Sequence, residues 1–404
     1  MVNFRATLSP MFVGWNREMN LTTIGRSGGL AVLVLWLCCV HSTAQTPDWF
    51  PADPIVAVPA QLSVFTCNGN SGVNARWAFA SGGFRVTQPP VISRNGQTIS
   101  VDARVEVTTG VHTLAIIFVE KNFDIGQLTP GTYTLEFKSW GTTLKVVEFT
   151  FKQTPVPAKP IDDGCFFVAQ HYRDFLSREF DGAGFAFWTN ELSSCAMDED
   201  CLAVKRVNVS AAFFLSIEFR ETAYYVYRTY KAALGRAPTF AEFVPDAALL
   251  GKNVVVGSND PWSLRLGGNK DLYTQGFFQR ADFQARYDGL TNAEYVDKLF
   301  ATEGITPTLT ERNQLVDSLD HCTFTIGCPT RASVLRKIIE NPAFDRKVFN
   351  EAFVTMEYFG YLRRDPDPDG FQFWLAKLNQ FNGDFNQAEM VKAFISSTEY
   401  RKRF

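Results

Sequence analysis

The densest run of metal-type ligands in the chain is Asp365-Pro366-Asp367-Pro368-Asp369-Gly370. Alternate carboxylates on a tight turn open a calcium loop of the EF-hand kind. The closing acid such a loop needs, eleven residues after Asp365, is Ala376, and two prolines stiffen a backbone that has to wrap an ion. The run therefore reads as a helix corner in which Asp367 accepts backbone N–H groups, and no metal site is assigned. Nucleophilic chemistry has little to draw on. His112, His171 and His321 lie outside any Gly-x-Ser-x-Gly, His-Glu-x-x-His or papain-like cysteine context. Gly-x-x-x-x-Gly-Lys and Gly-x-Gly-x-x-Gly loops are missing too, so neither a catalytic residue nor a cofactor is assigned. Paired carboxylates of the glycosidase kind would meet in space rather than in sequence, which keeps a secreted hydrolase acting on polysaccharide as the alternative.

Cysteine spacing carries more. Cys195 and Cys201 close one short loop, and Cys322 and Cys328 close another. Neither has the Cys-x-x-Cys spacing of a zinc site, and only His321 lies near a pair. Both read as local disulfides, while a bridge between Cys67 and Cys165 is left open by spacing alone. Disulfides suit an oxidising compartment, and the N-terminus agrees. Arg17 and Arg26 precede an apolar run from Leu30 to Val40 that ends in Ser42-Thr43-Ala44. This reads as a secretory signal over residues 1–44, its apolar stretch too short for a membrane span of about 20 residues. Its removal takes three arginines and one glutamate from the chain's 39 basic and 42 acidic residues and leaves a net charge of −5. Nothing in that balance favours nucleic acid.

The elements that must position these residues change character along the chain. Residues 45–152 alternate in the manner of strands, for example Thr98–Val107, Val111–Glu120 and Thr142–Phe151, between turn clusters such as Asn95-Gly96 and Thr129-Pro130-Gly131. The expected fold is an all-β immunoglobulin-like sandwich, with Tyr133 pinning a turn. Residues 153–161 form a Pro-rich linker. Residues 162–404 read as an all-α helical repeat domain, with capping boxes at Thr239/Glu242, Thr291/Glu294 and Thr308/Glu311 and a break at Asn341-Pro342. Phe, at 37 residues, supplies its core.

The repeat lies in residues 167–192 and 353–378, which are identical at eleven of 26 positions without a gap. Val168, Tyr172 and Leu176 fall four apart on one helical stripe. Arg178 or Arg364 follows, then Asp181 or Asp367 as a cap, then Gly184 or Gly370 for close approach. Trp188 or Trp374 is expected to turn inward. Each copy is followed by a second element, Ala212–Arg220 or Ala393–Arg401, and a degenerate middle copy runs through Tyr230, Leu234 and Arg236 to Phe277–Phe283. With its Tyr-x-x-x-Leu-x-Arg-x-x-Asp-x-x-Gly-x-x-x-Trp pattern, the region from about 165 to 404 resembles a bacterial domain of unknown function, family 4214. That resemblance implies an exported or surface-associated protein and brings no reaction with it. The expected function is a non-enzymatic secreted or cell-surface scaffold, adhesion or binding module whose partner is an unknown protein or glycan.

Overall fold

A computed structural model describes residues 48–404, apart from residues 68, 69, 88, 110, 111, 113, 114, 258–260, 322–327 and 387. The signal read at residues 1–44 and the Cys322 end of one cysteine pair thus lie outside the described residues. Cys328 is itself disulfide-bonded.

The β-rich region contains β1 Trp49–Pro51, helical turn α1 Pro54–Ala57, β2 Gln61–Cys67, β3 Asn70–Phe79, β4 Phe84–Val86, β5 Val91–Asn95, β6 Thr98–Asp102, β7 Val105–Thr108, β8 Ile117–Gln127, β9 Gly131–Ser139 and β10 Thr142–Phe151. They form sheets in the orders β2-β3-β8, β10-β9-β6-β5 and β1-β7-β4. β6 pairs parallel with β9; every other pairing is antiparallel. Inward residues of the first two sheets meet ring to ring. Trp77 on β3 lies 5.9 Å from Phe137 on β9, and Phe123 on β8 lies 6.0 Å from the same ring. All three rings are buried, and Trp77 donates its indole N–H to the Ala57 carbonyl at 2.7 Å. Two strand expectations shift. Thr98–Val107 is split between β6 and β7, which belong to different sheets. β8 begins at Ile117, not Val111, and continues to Gln127 because its polar half, Glu120–Gln127, still ladders against β3. His112 therefore lies in a loop, its Nε2 2.9 Å from the Thr108 carbonyl oxygen.

Beyond the linker the described helices fall into four successive groups. The first holds α2 Gly164–Leu176, α3 Gly182–Ser193 and α4 Glu199–Leu215. The second holds α5 Ile217–Leu234, α6 Phe240–Leu250 and α7 Trp262–Phe278. The third holds α8 Ala281–Tyr287, α9 Asn292–Glu303, α10 Leu309–Asp320 and α11 Arg331–Ile339. The fourth holds α12 Pro342–Glu357, a π-helical turn Tyr358–Leu362, α13 Pro368–Gln380 and α14 Met390–Ser396, and is followed by α15 Thr398–Arg401. Helix starts follow their caps. Thr239 and Thr291 make reciprocal capping boxes, as does Thr330 with Ser333. Thr308 caps Glu311 N–H, but the Glu311 carboxylate turns away to Asn341 Nδ2 at 3.4 Å, so that box is half formed. Asp198, inside the short Cys195–Cys201 loop, caps α4 through Cys201 N–H at 2.9 Å.

α5 is the axis of the helical core. Thirteen of its 18 residues are buried, including Tyr224, Tyr225, Tyr227 and Tyr230. The array closes on itself. Arg403 donates to both oxygens of Asp174 on α2 at 2.9 and 3.0 Å, and Arg401 holds Asp162 at 2.7 and 3.0 Å. α3 seats on the sheet: Phe185 meets Phe65 edge-on at 5.3 Å, and Asn190 donates to the Val64 carbonyl at 2.9 Å. Gly182 N–H reaches Glu120 of β8 at 2.6 Å, and a Cβ on Gly182 would collide with Asn74. Cys67 and Cys165 are joined across the same junction with Cα atoms 5.5 Å apart, and Cys195–Cys201 closes the loop before α4 at 5.6 Å. Among the described residues no helix is long and apolar enough to cross a membrane.

Candidate functional site

The repeated residues converge into two corners of nearly the same geometry. At the first, Asp181 caps α3 by accepting Gly184 N–H at 2.8 Å; at the second, Asp367 caps α13 by accepting Gly370 N–H at 2.8 Å. Each glycine leaves room for a tyrosine hydroxyl, Tyr172 or Tyr358, where a Cβ would sit. The arginine does more than complement a helix end. Arg178 lies over Tyr172 at 4.9 Å, contacts Asp181 at 3.3 Å and holds Glu218 through two bonds of 2.6 and 3.0 Å. Arg364 lies over Tyr358 at 5.2 Å, contacts Asp367 at 3.3 Å and holds Glu399 at 2.7 and 3.1 Å. The second element of each copy supplies that glutamate and also caps itself: Ser216 and Ser397 accept Phe219 N–H and Tyr400 N–H, each at 3.1 Å. The signal for the Arg–Glu pair was the Glu shared by Ala212–Arg220 and Ala393–Arg401, which spacing alone could not connect to the arginine.

Burial separates the corners. In the first pair the side chains of Arg178 and Glu218 are 16% and 5% exposed; in the second, those of Arg364 and Glu399 are 40% and 49% exposed. The Gly370 N–H, with Arg364 second, holds Asp367 below the usual carboxylate range, and Arg364 holds Glu399 below it. The first corner lines a concavity of about 360 Å³, walled by Tyr172 and Trp188 and rimmed by Gln61 and Arg76 of the β region and the loop 255–257. Two carboxylates thus share one hollow, but Arg178 lies against both, and Asp181 also holds the backbone. Asp181 and Asp367 belong to separate corners, and Asp367 does not line this hollow.

Trp188 and Trp374 turn only partly inward, packing at 6.0 Å on Phe213 and 5.6 Å on Phe394. The expectation that the repeat rings all face the core fails at one equivalent pair. Phe187 is 56% exposed and Phe373 60% exposed, each edge-on to its neighbouring tryptophan at 4.7 and 5.0 Å. A helix that seats one face cannot bury side chains pointing the other way. The acidic run splits in function: Asp365 caps α6 through Phe240 N–H at 2.7 Å, while Asp367 caps α13. Among the described residues no group of three or more His, Cys, Asp or Glu could hold a metal ion.

The middle copy keeps the geometry with changed chemistry. Arg236 lies over Tyr230 at 5.2 Å, contacts Asp282 at 3.6 Å and pairs with Glu242 at 2.7 Å, while Thr239 takes the capping place. Where the outer copies have tryptophan and serine, this one has the buried Asp246 and the half-buried Arg280, joined at 2.6 Å and completed by Tyr230 and Tyr273 hydroxyls at 3.1 and 3.2 Å. The two exchanges belong together, since the buried Asp246 carboxylate would be stranded without Arg280.

Residues 336–404 match the family model of a domain of unknown function, DUF4214. The DUF4214 segment contains the second corner, from Tyr358 to Trp374, and its Glu399 partner; the first and middle copies lie outside the matched stretch. No curated protein and no solved structure matches the chain.

A serine–histidine contact missed in the sequence lies deeper. His171 Nε2 is 2.7 Å from Ser210 Oγ, which also bonds the Tyr361 hydroxyl, and His171 Nδ1 is 2.8 Å from the Phe167 carbonyl. All three side chains are buried, so substrate has no route to the serine. Burial drives the imidazole down to about 3, which keeps it neutral. At the position equivalent to His171, Glu357 is fully buried without a hydrogen-bond partner among the described residues, and burial pushes its carboxyl well up. This polar seam joins the first and fourth groups.

Proposed function

We propose that the chain is an exported, non-enzymatic scaffold that binds a protein or glycan at the cell surface, with an immunoglobulin-like β module ahead of the helical array. The reading rests on how the motif's carboxylates are used. In both outer copies the aspartate holds a helix N-terminus and the glutamate holds an arginine, so neither is free to act as a general acid or base. A glycosidase needs one carboxyl kept protonated near neutral pH. The carboxyls pushed up by burial, Glu303 and Glu357, line neither this hollow nor the larger cavity beside the linker. The first copy's match to the second, corner for corner, favours counting it in the same family. The immunoglobulin-like assignment draws support from Tyr133, whose hydroxyl donates back to the Thr129 carbonyl at 2.8 Å at a turn, and from the facing sheets around Trp77.

The exposed Phe187 and Phe373 are the contacts such a scaffold would offer. The test is binding of the purified chain to isolated cell envelopes, comparing the natural chain with the Phe187→Ala/Phe373→Ala double variant. Expected are saturable binding, weakening in the double variant and no release of reducing sugar. Release of reducing ends from polysaccharide, lost in Glu218→Gln, would replace the scaffold with a hydrolase.

A further inference from the structure

We propose that the cavity beneath the Pro-rich linker binds a free long-chain carboxylate amphiphile, its chain along the apolar walls and its head at Arg206. The cavity encloses about 880 Å³, within the roughly 300–1,000 Å³ usual for small-molecule sites. It lies where the β region, the linker, the first helical group and the end of the chain meet, and the Cys67–Cys165 bridge lines it. Its walls include Leu192, Leu202, Val207 and Ile395, and Val156 of the linker, 90% exposed, faces it as a strap. Apolar surface held open to water is unfavourable, and an acyl chain removes it from water.

The charge at the floor specifies the head group. Arg206 is a half-buried guanidinium lying 4.9 Å over the Phe167 ring, and its hydrogen bonds go to the neutral carbonyls of Ile161 and Asp162. The side chain of Asp162, the acid beside it, has both oxygens taken by Arg401. Among the described residues Arg206 has no carboxylate within ion-pair distance, while buried cations are ordinarily paired. Burial is the largest influence on Arg206 and pushes its pKa down, outweighing the nearby charges of Asp162 and Asp163, which act the other way. Tyr400 lines the same cavity, and its buried hydroxyl has no hydrogen-bond partner among the described residues. A carboxylate supplies what both lack: negative charge for the guanidinium and an acceptor for the phenol. The acids Glu199 and Asp200 lie on the outer rim, exposed in the first turn of α4, where they are solvated.

The experiment is titration calorimetry of the full chain with laurate below its critical micelle concentration, alongside dodecanol and dodecyltrimethylammonium. Saturable one-to-one laurate binding is expected, at least tenfold tighter than dodecanol, with no binding of the cationic amphiphile. Arg206→Gln should weaken laurate at least tenfold. Because that change also removes contacts to two carbonyls, Ala203→Trp provides a second arm: it starts from an exposed lining position, should leave the melting temperature unchanged, and should block laurate. Absence of saturable laurate binding, equal affinity for laurate and dodecanol, or unimpaired binding by Ala203→Trp would each overturn the assignment. None of these readouts depends on the scaffold reading, whose test is adhesion to envelopes.

Discussion

Glu218→Gln and Glu399→Gln make the same chemical change at two copies of one contact. In each copy the glutamate receives two bonds from arginine, at 2.6 and 3.0 Å in the first and 2.7 and 3.1 Å in the second. Only the surroundings differ: the Glu218 side chain is 5% exposed and the Glu399 side chain 49%. Breaking a buried ion pair from one side costs about 3–5 kcal/mol, because the remaining charge is stranded away from water. Arg178 keeps Asp181 at 3.3 Å, which places the expected loss for Glu218→Gln at the lower end, about 3 kcal/mol. An exposed pair is worth roughly 0–1 kcal/mol, so Glu399→Gln should lose less than about 1 kcal/mol. Urea unfolding at pH 7 with disulfides intact reads both values. Raising salt to about 0.5 M should erase the Glu399 difference and leave most of the Glu218 difference, since screening acts through solvent. Equal losses in the two variants, or a larger one at Glu399, would refute the argument that burial sets the strength of this contact.

Four further outcomes follow from the same geometry. His171 is neutral in the fold, with its pKa lowered to about 3 from 6.5, so its contribution is complete above 6.5 and is lost as pH falls toward 3. Between pH 7.5 and 5 the natural chain should lose about 2 kcal/mol relative to His171→Gln, a difference profile that cancels every other titration; parallel profiles would count against it. Glu303 runs the other way. Burial raises it to about 9, so the folded state bears a cost that grows from pH 4.5 upward, and Glu303→Gln should raise the melting temperature more at pH 8 than at pH 5. Asp181→Ala and Asp367→Ala each remove a cap worth about 1 kcal/mol and an arginine contact at 3.3 Å, and the first should cost more because Arg178 and Asp181 are less exposed than Arg364 and Asp367; calorimetric melts compare them. Gly182→Pro removes the N–H that reaches Glu120 and fills the space against Asn74, so proteolysis should nick the linker at Pro155–Ala158 faster in the variant. Pro368, at the same place in the other corner, is tolerated because α13 has no sheet against its start.

Much was legible along the chain because it is local. The switch from strand to helix near residue 152, the caps at Asp181, Asp367, Thr239 and Thr291, and the Tyr–Arg–Asp–Gly corners depend on residues within one or two turns of each other. Hydrogen-bonding reach and steric space at those spacings leave few alternatives. The cysteine count announced disulfides, but only folding chose Cys67 with Cys165, 98 residues apart. Tertiary packing likewise decided which corner is buried, since α3 meets a sheet and α13 does not. It also joined Asp246 to Arg280, closed the array through Arg403 and Asp174, and left Phe187 and Phe373 outside while their neighbours went in. Those outcomes depend on which surfaces meet, a property of the assembled chain that no local spacing encodes.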